Sequence, residues 1–86
     1  MEELQTAVFE EVQRVADLRG ISLPSLSPRQ HLIDDLGLRS LDLAHLVAAL
    51  EQRLRVDPFF KLVPITQVRT LGDLCAAYRS ALAAQD

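Results

Sequence analysis

The stretch DDLGLRSLDLAHLVAALEQRLR, residues 34–55, decides the reading of the fold. From Ser40 onward, Leu43, Leu46, Val47, Leu50 and Leu54 recur at three- and four-residue steps. That spacing puts them on one face of a helix running to about Arg55. The opposite side carries Leu41, His45, Ala48 and Gln52, with Ala44 on the flank. A solvent-facing helix surface is expected to be strongly charged, but this one is short, neutral and partly apolar. Upstream of Ser40 the period is lost. Residues 21–39 hold Pro24, Pro28, Ser22, Ser25 and Ser27, which disfavour regular structure. Connections this long inside a small domain are uncommon and often functional. Leu23, Leu26, Leu32, Ile33, Leu36 and Leu38 are available to pin this one to a core.

Either side of this stretch the helical pattern returns. Leu4, Val8, Val12, Val15 and Leu18 line one face of a first helix expected over Glu2 to Arg19, and Gly20 is its natural stop. Acidic residues at its start and Arg19 at its end suit the helix dipole. Asp57-Pro58 breaks the second helix. Pro64 can open a single helical turn through Val68, and Thr70 is a suitable N-cap for a last helix from Leu71 to about Ala83. Its inward stripe would be Leu71, Leu74, Cys75, Tyr78 and Leu82. The pattern predicts an all-α fold with no strands. It is a small up-and-down bundle of three main helices plus one short one, with a long loop between the first two.

Composition narrows the function. With 86 residues the chain reads as one domain, 1–86, with a marginal core and little left over for a deep catalytic cleft. Apolar residues make up 49% of it, enough for a packed globule. Aromatics are only 5%, so the core must be built from Leu, Val, Ile and Ala. The net charge of -3 disfavours nucleic acid, which needs clustered Lys and Arg. Cys75 is the only cysteine, which excludes an internal disulfide and a cysteine-based metal site, and its apolar neighbours make it a buried thiol. No apolar run approaches the ~20 residues of a membrane span, and nothing at the N-terminus resembles a signal peptide. A monomer in the cytoplasm is expected.

Side-chain catalysis has little support. Ser40 and His45 are five residues apart and do not face each other on a helix. His31 and His45 lack ligand spacing with another donor and are expected to face solvent. On position alone, Ser40 reads either as a helix cap or as an exposed attachment point. Asp42, in the first helical turn, suits the dipole. Leu41 is harder to explain as structure. It lies nearly opposite the core stripe, and with Ala44 and Ala48 it forms an apolar strip beginning beside the serine hydroxyl. Such strips mark protein contacts.

The run Asp35-Leu36-Gly37-Leu38-Arg39-Ser40-Leu41-Asp42 resembles the acyl carrier protein signature, Asp-Leu-Gly-x-Asp-Ser-Leu-Asp/Glu. Leu50-Glu51 is similar to the family's Leu-Glu on its second helix, and Ile65 to Leu74 resembles its third helix and the start of its fourth. The resemblance covers nearly the whole chain. It implies a non-catalytic carrier in which Ser40 receives 4'-phosphopantetheine as a phosphodiester. A phosphopantetheinyl transferase would supply the metal and base for that attachment. The cofactor thiol, not a side chain, would carry acyl groups as thioesters. Expected partners are acyltransferase, ketosynthase or adenylating and ligase enzymes, contacting Arg39, Leu41, Asp42, Ala44, His45 and Ala48. A specialised pathway such as polyketide synthesis is the expected setting. An aminoacyl or peptidyl carrier of a nonribosomal pathway stays open, as does an unmodified helical interaction module in which Ser40 is only a cap.

Three residues depart from the family's pattern. Arg39 replaces the aspartate before the serine, and His45 and Gln52 stand where acidic residues are usual. From Arg39 to Arg55, Arg39, Arg53 and Arg55 outnumber Asp42 and Glu51. Enzymes built for an acidic second helix are expected to recognise this one poorly.

Overall fold

A computed structural model describes residues 3–23, 25–57 and 68–84. Three helices order these residues: α1 (Glu3–Leu18), α2 (Ser40–Leu54) and α3 (Leu71–Ala84). The short helical turn expected from Pro64 lies outside the described residues.

α1 ends where Gly20 adopts a positive φ of 72°, a conformation that costs glycine nothing. The Ile21 N–H donates to the Ala16 carbonyl at 2.9 Å and the Gly20 N–H to Asp17 at 3.1 Å. This is the reciprocal pair of a Schellman turn, and it satisfies carbonyls that the helix end leaves open. Val8, Val12 and Val15 are buried as the period predicts, with Ala7 and Ala16 beside them. Leu18 is not; it is 79% exposed. It is the last helical residue, and the chain reverses just beyond it. Ile21, returned by the turn, packs on the core instead.

α1 packs against both other helices. It runs antiparallel to α2, because ion pairs join them crosswise. Arg19 at the end of α1 meets Asp42 at the start of α2. Arg53 near the end of α2 meets Glu10 at 2.7 Å and Glu11 at 2.9 Å. Glu11 is 3% exposed although it sits in the α1 interface. Arg53 on one oxygen and Arg14 at 3.6 Å from the other hold its charge there. A buried carboxylate is tolerated only with such partners.

The connection between α1 and α2 is folded onto the core. Leu32, Leu36 and Leu38 are buried together with Leu46 and Leu50 of α2 and Leu71, Leu74, Cys75 and Tyr78 of α3. Residues 31–38 form a compact turn. The Asp35 carboxylate accepts the His31 N–H at 2.7 Å, and Gly37, at φ 74°, lets the Leu38 N–H reach back to Leu32 at 3.1 Å. Backbone bonds then dock the connection on the start of α3. Leu32 donates to Arg69 at 2.8 Å, Leu71 to Gln30 at 3.0 Å and Gly72 to Pro28 at 2.8 Å. A Cβ at Gly72 would meet the Pro28 oxygen at 3.1 Å, so any larger residue there would press on this contact.

α3 begins with a reciprocal cap. The Asp73 N–H donates to the Thr70 hydroxyl at 3.0 Å, and the Thr70 N–H donates back to the Asp73 carboxylate at 3.1 Å. The backbone amides of Arg69 and Thr70 hold the Asp73 carboxyl below its ordinary range. The predicted stripe of α3 is buried at Leu71, Leu74, Cys75 and Tyr78. Leu82 is only half-buried, and the small Ala77 and Ala81 complete the packed face instead.

Candidate functional site

α2 starts at Ser40, and its cap is Arg39, in extended backbone at φ −112°. The Arg39 carbonyl accepts the first helical bond, from Leu43 at 2.9 Å. Ser40 is therefore the first helical residue and not the cap. It is exposed, and no hydrogen bond engages its side chain among the described residues.

Arg39 cannot close the helix start with its side chain, because a guanidinium has donors and no acceptor. Asp42 supplies half of the missing pair. Its Oδ2 accepts the Arg39 N–H at 2.8 Å. The same oxygen accepts a short hydrogen bond from the Arg19 guanidinium. Asp42 is 2% exposed. This corrects the expectation that it contacts partners: its carboxylate is turned inward to two donors and is not presented on the surface.

The other expected contact residues are presented. Leu41 is 68% exposed, and Arg39, Ala44, His45 and Ala48 are exposed along α2. His31 is exposed as well. The inward stripe of α2 is less uniform than its period suggests. Leu46 and Leu50 are fully buried, whereas Leu43, Val47 and Leu54 are half-buried. Leu43 and Val47 line an open cleft of about 990 Å³ beside the 31–34 turn, with Ile33, Ala44, Ala48 and Val68 as further apolar walls. Ser40 also lines it. The cleft thus follows α2 from Ser40 to Glu51.

The charge of the outward surface also changes once partners are assigned. Arg53 is committed to Glu10 and Glu11, and Asp42 to Arg19. Arg39 and Arg55 are left exposed against Glu51. The sequence pattern assigns Arg19 only to the helix dipole and pairs neither Arg19 nor Glu11 with another helix. Their partners lie 23 and 42 residues away, beyond any helical spacing rule.

The residues present suit a serine-linked phosphodiester. The hydroxyl is unencumbered, the first-turn amides of a helix have no intrahelical acceptor, and a helix N-terminus favours an anion. Among the described residues no group of His, Cys, Asp or Glu could hold a metal ion, and no helix is long and apolar enough to cross a membrane.

No solved structure matches the chain. A family model described as phosphopantetheine attachment site matches residues 12–78, which takes in α2, the turn before it and most of α3. The chain belongs to the phosphopantetheine attachment family, whose members are non-catalytic carriers, bear 4'-phosphopantetheine on a serine, are modified by phosphopantetheinyl transferases and interact with the enzymes of their pathway.

Proposed function

We propose that Ser40 is the attachment serine and that the chain carries acyl groups between enzymes of polyketide or related biosynthesis. One observation carries this reading: an exposed first-turn serine lines a cleft whose walls are largely apolar. In the attachment, a bond forms from the Ser40 Oγ to the pantetheine-side phosphorus of the coenzyme A pyrophosphate as its bridging P–O bond breaks and adenosine 3',5'-bisphosphate leaves. The hydroxyl proton leaves to a base of the transferase. The bound group supplies a thiol that holds acyl groups as thioesters. Apolar walls formed by Leu43, Ala44, Val47 and Val68 suit hydrocarbon.

Leu41, Ala44 and Ala48 give partners an apolar contact, while Arg39 and His45 set the charge that partners meet. Charge across an interface governs association rate and discrimination more than affinity. Partners of this carrier therefore rely on apolar contact and offer an acidic group to Arg39.

The attachment is tested by intact mass after incubation with coenzyme A and a broad-specificity transferase. Wild type gains one phosphopantetheinyl group and Ser40→Ala gains none. Modification of Ser40→Ala, or an unmodified wild type, overturns the reading. The partner claim is tested with Arg39→Asp combined with His45→Glu against a generic fatty acid transferase. Catalytic efficiency rises at low salt and the gain shrinks as salt screens the new charges. No gain at low salt overturns it.

A further inference from the structure

Resting on Ser40 as the attachment serine, we infer that Arg19 is a positioning residue for its modification, acting from another helix through Asp42. Arg19 is itself held in place. It follows the last residue of α1, and its own N–H donates to Ala16 at 3.1 Å within the Schellman turn closed by Gly20. Its guanidinium reaches the Asp42 carboxylate. The Asp42 oxygen it touches is the one that accepts the Arg39 N–H at 2.8 Å. A single oxygen atom therefore connects a rigid helix end to the residue that caps α2, immediately before Ser40.

The start of α2 needs such a tether. The side chain of its cap residue has no acceptor to offer, and the first turn of a helix frays when its amides lack partners. Without Arg19, only the Arg39 N–H would hold the Asp42 carboxylate in place. Arg19 fixes one rotamer of Asp42, neutralises its buried charge, and so keeps a second negative charge from facing an arriving phosphate. The other cross-helix pair, Arg53 with Glu10 and Glu11, lies at the far end of α2 and has no route to the serine. Loss of Arg19 should lower the fraction of molecules with an ordered first turn. A transferase that needs that turn then sees a raised KM with kcat preserved.

The experiment compares full-chain wild type, Arg19→Met, Arg19→Lys and the control Arg53→Met. One arm measures transferase kinetics with coenzyme A as the co-substrate. The other measures amide hydrogen exchange. In Arg19→Met, KM for the carrier rises about fivefold or more while kcat stays within about twofold. Exchange at the Arg39 and Leu43 amides quickens by about tenfold, while Leu46 and Leu50 keep wild-type protection. Arg19→Lys restores at least half of the lost KM. Arg53→Met lowers the melting temperature but leaves KM and both first-turn amides unchanged. Should Arg19→Met be unfolded at the assay temperature, Arg19→Lys against Arg53→Lys gives a smaller KM split in the same direction. A wild type that gains no mass overturns the attachment reading, and this inference with it. A modified wild type whose KM is matched by Arg19→Met, or a KM rise shared equally by Arg53→Met, overturns this inference alone.

Discussion

α2 and α3 begin in opposite ways. α3 is capped by its own neighbours: Thr70 and Asp73, three residues apart, exchange two hydrogen bonds. α2 begins at a residue that cannot cap. Its first turn is closed by Asp42 from inside the helix and secured by Arg19 from the end of α1. The structural helix is thus specified locally, whereas the helix that bears the serine is specified by a tertiary contact. The difference frees the surface around Ser40. A conventional cap would leave a polar acceptor beside the serine; here the acceptor is buried, and Arg39 and Leu41 are what a partner meets.

That contrast can be broken most forcefully at Asp42. Asp42→Ala removes the acceptor for both Arg39 and Arg19. Deleting one partner of a buried pair commonly costs ~3–5 kcal/mol, but Arg19 can rehydrate, so about 1–3 kcal/mol is expected by chemical denaturation. A loss below about 0.5 kcal/mol would show that the start of α2 does not depend on it. Thr70→Ala should cost about 1 kcal/mol, the usual worth of a local cap, and its effect should add to that of Asp42→Ala because the two sites share no partner.

The pH response sharpens the same contrast. The Asp73 carboxyl is held low by the Arg69 and Thr70 amides. Its folded value therefore lies below its unfolded one, and the unfolded chain binds more protons as pH falls between them. The stabilisation is fully present above about pH 5 and is lost as pH drops below about 4, through the lowered folded value. Melting temperatures of wild type and Asp73→Asn should differ at pH 6 and converge as pH falls through the lowered folded value. A constant difference would remove Asp73 from the acid limb. The smallest effect is a gain: Arg39→Asn gives α2 the local acceptor it lacks and should stabilise by about 0.5–1 kcal/mol.

Much of the site was legible before any coordinates. The leucine period placed the start of α2 at Ser40 and turned Leu41 outward, because both follow from a helical repeat. The family signature singled out the serine. Asp42 was misplaced, since the same repeat cannot say whether a first-turn carboxylate faces solvent or a cation on another helix. Leu43 and Val47 were assigned to the core, yet they line the cleft. Periodicity gives a direction and not the cover that lies in that direction.

By itself, the sequence determined the three described helices, their limits at Gly20 and Thr70, the leucines that pin the connection, and the exposure of Leu41. These depend on hydrogen bonds and side-chain periods that close within a few residues. Only the tertiary structure decided that Glu11 and Asp42 are buried, that Arg53 and Arg19 are committed to them, and that Leu18 is left outside. Those outcomes depend on which helix end meets which. A buried charge is stable only where a partner from elsewhere in the chain arrives to hold it.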